Sequence, residues 1–557
     1  MSFDLGSDPC SLVSLAVNYL RRITGPAALI ALAVLWSNIW GQLKEGLSYS
    51  FFDKGAVAAY GAALKVPFEA PQIISNAMAA AMVPVLVGLY RRGHLGDARR
   101  LSTGIIGAIV CLLTPLALIG MADPQPVLRL FWPANAVVMA MAIHLSRVLF
   151  PYLLISGVAG AMAATLQSFE EFRPLALGQL VPNVVIVASM LVLHQRLGVT
   201  SQAVGVVLGG AAYLALLFPY LLRLFRRNSE TDESTALPEA WWRMPAAHQI
   251  GRAMLPLILI GLADWGASQA IVFHWVFKVG VGDEAAFSEF APAFKILQIP
   301  QGIFLAALVT VLLPVLSRFA AFDDMDGLAS EASAGIRMVL YVVAPTAIAL
   351  GCLALPVLNV LYRHGQLAQT PGAVETAVPL VGLMASCILF SSVGEVLILC
   401  LLALKRVWSL LVVQALSLAA SVGLCWQMTK WLGLPGLAGA VSLTALVTLG
   451  LLFGMVERYI KIHDWQEMGQ FAWKTFLACV VVWAWLHFLA GIVASRGGVS
   501  GVFPNAAEIA VGVVISAMLY IAVSERLRIP EWLAARAVVE RVVQRHNVDE
   551  AFRSAED

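Results

Sequence analysis

Two lysines lie in strongly apolar surroundings at matching positions of a weak internal repeat. Residues 56–88 align without a gap to residues 286–318, which lie 230 positions later. The alignment pairs Lys65 with Lys295. A charge inside a membrane-spanning segment costs about 2.5–3.5 kcal/mol on insertion scales, and a lysine ammonium binds phosphate as a compact point charge. The pair therefore predicts a site for an anionic headgroup, such as a phosphate or pyrophosphate, between two like halves of a transporter.

Further ionisable residues lie at the predicted membrane depth. Lys44, at the outer end of the first span, either extends the basic lining or reaches the lipid interface as a snorkelling side chain. Glu69 follows Lys65 by one helical turn, so the two side chains share a helix face and are able to pair. Buried carboxylates in transporters also bind coupling cations or relay protons. Ion coupling and charge pairing both stay open for Glu69, Asp264 and Glu395.

The composition predicts an all-α polytopic membrane protein. Hydrophobic residues make up 60% of the 557 residues and charged residues 13%, and the mean hydropathy is +0.82. Apolar runs of about 20 residues, the length that crosses a bilayer as a helix, recur along the whole chain. We predict about fourteen spans, at residues 24–43, 57–90, 101–122, 146–167, 175–194, 202–224, 253–277, 287–317, 336–356, 377–404, 407–429, 434–456, 472–494 and 502–524.

The sequence carries no signature of catalysis, of a metal site or of a cofactor. The seven cysteines are scattered, mostly inside apolar runs and without CxxC spacing. The HExxH, Walker-type and GxSxG motifs are absent. The net charge of +2 comes from basic residues spread over short loops, which gives no nucleic-acid footprint. We expect a transporter rather than an enzyme, with no catalytic residues, metal, cofactor or nucleic-acid partner.

The longest polar stretch, residues 223–252, divides the predicted spans into a 6+6+2 arrangement. An even number of spans in each half gives both halves the same orientation. The second and eighth spans both contain a lysine and interior prolines, which predicts a central cavity between two six-helix lobes. We expect an N-terminal lobe at 1–228, a cytoplasmic linker at 229–250, a C-terminal lobe at 251–460, two additional helices at 461–525 and a cytoplasmic amphipathic tail at 526–557.

The distribution of basic residues predicts the orientation in the membrane. With a cytoplasmic N-terminus, 25 of the 36 lysines and arginines fall in cytoplasmic segments and 9 on the opposite side. The remaining two are Lys65 and Lys295. Because cytoplasmic loops carry an excess of basic residues, we expect both termini to be cytoplasmic.

Several short motifs follow one another in an order typical of a known family. They are ALKVP at 63–67, FPYLL at 150–154, Leu166-Gln167, Phe172, Pro174, Ala176, Pro182-Asn183, IPQG at 299–302, LPVLS at 313–317 and LYRHG at 361–365. Over about residues 25–460, this ordered set resembles the MurJ/MviN family of lipid II flippases.

The resemblance implies two six-helix lobes that work by alternating access, within a superfamily that also holds multidrug antiporters and polysaccharide flippases. The implied substrate is a lipid-linked anionic peptidoglycan precursor, carried from the inner to the outer leaflet of the bacterial cytoplasmic membrane. The implied partners are membrane lipids and cell-wall synthesis proteins. By motif position, Asn38 and Lys295 stand where the family has cavity arginines, and Glu395 stands where it has a basic residue. Asn38 therefore joins Lys44, Lys65 and Lys295 in the expected headgroup site.

Other functions fit the same pattern. One is a flippase for a different polyprenyl-linked saccharide. A second is a cation-coupled small-molecule exporter of the same superfamily, which the buried acids favour and the two extra spans disfavour. A third is a membrane scaffold for cell-wall enzymes that transports nothing. Facilitator-type transporters share a parallel repeat of six spans, but their D-R-x-G-R loop is absent at residues 91–97.

Overall fold

The computed structural model describes most of the chain between residues 36 and 536. The described residues are 36–37, 39–92, 94–131, 136–169, 171, 173–178, 180–227, 240–279, 285–362, 373–461, 465–495, 501–533 and 536. They form helices joined by short turns, and no strand occurs among them. The all-α prediction is confirmed. Asn38 lies outside the described residues.

Besides a short helical stretch at residues 530–533, the described residues contain seventeen α-helices. Those of the first half are α1 (39–51), α2 (Lys54–Arg91), α3 (Leu95–Ala122), α4 (Gln125–Phe131), α5 (Ala136–Ser168), α6 (Arg173–Ala176), α7 (Leu180–Leu197) and α8 (Thr200–Arg227). Those of the second half are α9 (Pro245–Trp265), α10 (Ile271–Val279), α11 (Ala285–Ala321), α12 (Met325–Cys352), α13 (Ala354–Tyr362), α14 (Ala373–Ala403), α15 (Val407–Val456), α16 (Trp465–Ser495) and α17 (Val502–Arg526). A short 3₁₀ turn, Trp241–Arg243, precedes α9.

Eleven helical segments of the described residues are long and apolar enough to cross a membrane. The 50-residue α15 consists of two consecutive helical stretches, because Gly433 interrupts it at φ 62° and ψ −135°. Glycine takes this positive φ without the steric cost that a Cβ brings. The number of fourteen spans and their 6+6+2 grouping stay predictions.

The helices pack into two groups. In the first group α5 contacts α2, α3 and α8, and α7 contacts α8. In the second group α14 contacts α11, α12 and α15. The last two helices join the second group, since α16 packs on α12 and α17 on α13. Small residues allow the close approach: a Cβ at Gly160 of α5 would overlap Ser75 of α2.

One membrane-crossing segment belongs to both groups. The first half of α9 shares an apolar cluster with α2, α3 and α5 through Ile250, Met254 and Leu257. The chain then makes a π-helical turn at Gly266–Ala270, after which α10 packs on α15 of the second group. The extra residue of a π-turn shifts the face that a helix presents to its neighbours. The segment contacts the second group on both sides of this turn, since α9 also packs on α15.

Candidate substrate-binding site

The three lysines predicted from the sequence lie on three helices from both groups. Lys44 is on α1, Lys65 on α2 and Lys295 on α11. Close helix packing brings two of these helices together, because a Cβ at Gly61, one turn before Lys65, would overlap the Phe287 ring of α11. Lys65 and Lys295 are near enough to interact electrostatically, as are Lys44 and Lys295. The structure thus combines the three cations in one site.

Glu45 connects two of these lysines. Its Oε1 atom lies 3.5 Å from Lys44 Nζ and 3.4 Å from Lys295 Nζ. Lys44 is the preceding residue on α1, whereas Lys295 comes from the second helix group. The Glu45–Lys295 ion pair therefore joins α1 to the second group.

Lys65 has a different set of partners. Its Nζ donates a hydrogen bond of 2.5 Å to Gln269 Oε1 and lies 4.0 Å from Glu69 Oε1. The ammonium also lies 4.3 Å from the centroid of the Phe273 ring, a distance at which the π face attracts a cation. The π-turn supplies Gln269, and α10 supplies Phe273 four residues later. The segment that contacts both helix groups therefore lies directly beside Lys65.

The charged cluster is partly open to solvent and carries an excess of positive charge. The Lys44 and Glu45 side chains are 15% and 17% exposed, and those of Lys65 and Glu69 are 14% and 22% exposed. Lys295 is the most accessible of the five, at 36%. Three lysines against two glutamates leave one net positive charge in this partly exposed site, which favours an anion over a cation.

Two predicted acids lie in a second polar site. Asp264, near the end of α9, accepts a 3.1 Å hydrogen bond through Oδ1 from Gln414 Nε2 of α15. Glu395 of α14 is close enough to interact electrostatically with Asp264. Within the described ranges, neither carboxylate forms an ion pair with a lysine of the first cluster. The same residues contain no group of three or more histidines, cysteines and acids placed to hold a metal ion.

Sequence reasoning gave no role to Glu45, Gln269 or Phe273. Glu45 could have been predicted as a charge partner, because it is a carboxylate next to Lys44 near a predicted span. Gln269 was also detectable in principle, as a polar side chain within the apolar run 253–277. No pattern in the sequence indicated the Phe273 ring as a cation partner, because phenylalanine is ordinary in a membrane helix.

A family model described as "Lipid II flippase MurJ" matches residues 47–508 of the chain. The chain belongs to the MurJ family. A MurJ relative from Bdellovibrio bacteriovorus is 24% identical over 447 residues, which cover 79% of this chain and 83% of the relative. A MurJ relative from Vibrio cholerae is 28% identical over 381 residues, covering 65% of this chain and 69% of the relative.

The fold of this chain also matches solved structures. A lipid II flippase MurJ in an inward closed conformation superposes with a TM-score of 0.68 at 14% identity, covering 90% of this chain and 99% of that chain. An inward-facing multidrug resistance MATE transporter of the MOP superfamily gives a TM-score of 0.61 at 12% identity, covering 77% and 97%. These likenesses show the fold. With the family match and the apolar helices, they make this chain a multi-pass protein of the bacterial inner membrane.

Proposed function

We propose that this protein is a lipid II flippase that holds the pyrophosphate of its substrate on Lys44, Lys65 and Lys295. The main support is the position of Lys65 and Lys295. These two lysines match in the internal repeat, belong to different helix groups and lie in one accessible cluster. Membership of the MurJ family supports the substrate class. The family match also supports a transport role, because a flippase moves its substrate without chemical change.

The Glu45 carboxylate competes with the substrate phosphate for Lys295. The carboxylate stands 3.4 Å from Lys295 Nζ, where a substrate phosphate oxygen would also bind. An arriving pyrophosphate displaces Glu45 from Lys295 and exchanges an ion pair within the protein for a contact with the substrate. A lysine makes no two-pronged contact with phosphate, so charge rather than fork geometry holds the headgroup.

We also propose the orientation of the protein in the membrane, the site of ion coupling and the class of its protein partners. Both termini are cytoplasmic, in accordance with 25 basic residues inside against 9 outside. Asp264 and Glu395 provide ion coupling, a role favoured by two interacting carboxylates at membrane depth. Cell-wall synthesis proteins are the partners, since they consume the flipped precursor.

Complementation of MurJ-depleted cells tests the proposal. The wild-type gene restores growth, whereas Lys65→Ala and Lys295→Ala abolish rescue at normal membrane abundance. Lys65→Arg keeps part of the activity because the charge is retained. Lys430→Ala, at an exposed lysine beside Trp426, serves as the matched control and rescues fully.

Purified protein in vesicles then decides the substrate. Lipid II moves across the bilayer, and polyprenyl pyrophosphate carrying an unrelated saccharide does not. Rescue by both alanine variants would refute the headgroup site. Movement of only the unrelated saccharide lipid would replace lipid II as the substrate.

A further inference from the structure

A cavity on α3 lies apart from both charged sites. Its volume is about 610 Å³, and its lining includes Arg100, Gly104, Gly107 and Cys111 of α3 with Trp241 and Trp242 of the 3₁₀ turn. Among the hydrogen bonds and ion pairs of the described residues, those of the lysine cluster and of the Asp264 site include none of these lining residues. The cavity therefore needs an explanation of its own.

Two tryptophans and two glycines shape the cavity. The Trp241 ring lies on Gly104, where a Cβ would overlap it, and this contact joins the 3₁₀ turn to α3. Trp242 stands nearly perpendicular to Trp241, with ring centroids 6.0 Å apart, and is 60% exposed. At Gly107 an added Cβ would meet no atom within 4 Å. The tryptophans thus bound the cavity beside Gly104. The surface of α3 from Gly104 to Cys111 forms its floor, and this floor is open at Gly107.

The length of the cavity along α3 matches one leaflet of a bilayer. Arg100 and Cys111 are eleven residues apart, which is about 16 Å at the helical rise of 1.5 Å per residue. Half of the hydrocarbon core of a bilayer measures about 15 Å. Arg100 lies in the second turn of α3, near its charged start, and tryptophan is enriched at the membrane–water interface. The cavity therefore extends from a membrane surface towards the bilayer centre.

The surface end of the cavity is basic. Arg100 is the charged residue of the cavity lining, and the exposed Arg243 follows the two tryptophans in sequence without lining the cavity. Asp97 is the acid paired with Arg100, at 3.9 Å and with both side chains well exposed. An exposed pair of this kind is weak, so Arg100 is available to an anionic headgroup.

We propose that this cavity binds an anionic phospholipid of the membrane. The phosphate contacts Arg100, the headgroup lies beside Trp242, and one acyl chain follows the open floor from Gly104 to Cys111. In the orientation proposed above, this lipid belongs to the inner leaflet. Trp241 lies at the start of the second half of the chain, and α3 belongs to the first half. The lipid therefore contacts both halves.

Photocrosslinking in vesicles tests this lipid site without measuring transport. The full-length protein is reconstituted in phosphatidylethanolamine with a trace of phosphatidylglycerol that carries a diazirine in its acyl chain. Both leaflets have the same composition, so the result does not depend on orientation. We expect adducts on residues 104–111 and on Trp241 or Trp242. Unlabelled phosphatidylglycerol should compete for these adducts, and phosphatidylethanolamine should not.

Two variants with matched controls define the site. Arg100→Gln should reduce the adducts about fivefold, since one basic residue near a membrane surface contributes a factor of that order towards an anionic lipid. Gly107→Leu should remove them by filling the floor. The controls are Arg458→Gln, an exposed arginine elsewhere, and Gly423→Leu, where an added Cβ also meets no atom within 4 Å. Both controls should keep the adducts.

Three results would overturn the proposal. The first is labelling spread evenly over the exposed faces of the helices and unchanged by Gly107→Leu. The second is equal competition by phosphatidylethanolamine, which would remove the anionic specificity. The third is displacement by undecaprenyl pyrophosphate alone, which would make the cavity a site for the tail of the transported lipid.

Discussion

Glu45 serves two lysines at once, and this determines how the cluster responds to the loss of a charge. Removal of one member of a shielded ion pair leaves the other charge without compensation. In this cluster the uncompensated charges would be Lys44 and Lys295, which are the groups proposed to bind pyrophosphate. Loss of the carboxylate should therefore weaken the folded state and strengthen anion binding.

The first prediction follows for Glu45→Gln. The variant should bind undecaprenyl pyrophosphate about tenfold more tightly, because one competing charge-assisted contact is gone. It should also transport more slowly, since the substrate is released less readily. Binding is measured on detergent-solubilised protein by competition with a fluorescent pyrophosphate lipid. Glu457→Gln, at an exposed glutamate, is the control. Weaker binding in Glu45→Gln would show that Glu45 positions the lysines instead of competing for them.

The second prediction concerns Glu69, whose distance of 4.0 Å from Lys65 belongs to a loose ion pair. Lys65 keeps Gln269 and Phe273 as partners when Glu69 is neutralised. Glu69→Gln should therefore cost only about 1 kcal/mol of stability, and Lys65→Met should cancel most of that loss. A double-mutant cycle on thermal stability measures the coupling. A fully stable Glu69→Gln protein that no longer responds to pH or a cation gradient would assign Glu69 to coupling.

The sequence predicted the cationic residues of the site but not their partners. The repeat indicated Lys65 and Lys295, and helical spacing indicated that Glu69 shares a face with Lys65. Both signals can be detected without knowledge of how the helices pack. The Glu45–Lys295 pair joins residues 250 positions apart, and the Lys65–Gln269 bond joins residues 204 apart. Such contacts depend on how the two helix groups approach each other. That arrangement cannot be predicted from the patterns of a single sequence.

At the scale of helices, α1 touches the second group through a glycine. A Cβ at Gly46 would lie 2.7 Å from the backbone oxygen of Leu361, at the end of α13. Beside this contact, the Tyr49 and Tyr362 rings meet edge to face at 5.3 Å, and the Tyr362 hydroxyl donates to Gln42 at 3.4 Å. A backbone atom cannot move aside as a side chain does. Only glycine therefore allows this approach.

The third prediction compares two glycines of α1. Gly46→Ala should push α1 away from α13 and destabilise the protein by about 1–3 kcal/mol, the usual cost of overpacking. Gly41→Ala should be neutral or slightly stabilising, because its Cβ would meet only Asn183 at 3.9 Å and alanine favours a helix. Thermal unfolding of the two variants provides the measurement. Equal melting temperatures would show that α1 and α13 separate without cost.

Helix positions were predicted better than helix irregularities. The apolar run 253–277 predicted a seventh span, and the structure has helix from Pro245 to Val279 with a π-turn at Gly266–Ala270. Helix begins at Pro245, inside residues 229–250 that were expected to form the linker. Hydropathy detects the part that lies in lipid and misses helix that continues beyond it. The π-turn contains no proline, so its position depends on packing, including the bond from Ser421 Oγ to the Ala267 carbonyl.

The fourth prediction concerns the whole molecule in its membrane. Single cysteines in a cysteine-free background should react with an impermeant maleimide from the outside at position 123. Cysteines at positions 97 and 458 should react only after the membrane is opened. Asp123 and Arg458 are exposed and the Asp97 side chain is 43% exposed, so each site is accessible to the reagent. External labelling at position 97 would reverse the proposed orientation and the assignment of the basic loops.

The sharing of α9 between the two helix groups has a consequence for chain connectivity. Ile250, Met254 and Leu257 lie in the apolar cluster of the first group, so we expect the halves to stay together without the peptide link at residues 228–239. A protein expressed as two pieces, 1–233 and 234–557, should assemble in the membrane and co-purify through one affinity tag. Ile250→Asp in the second piece should abolish the co-purification, because it places a charge in that cluster. If the unaltered pieces failed to associate, the covalent link would be essential. If they associate, this transporter tolerates a break in its chain between its two halves.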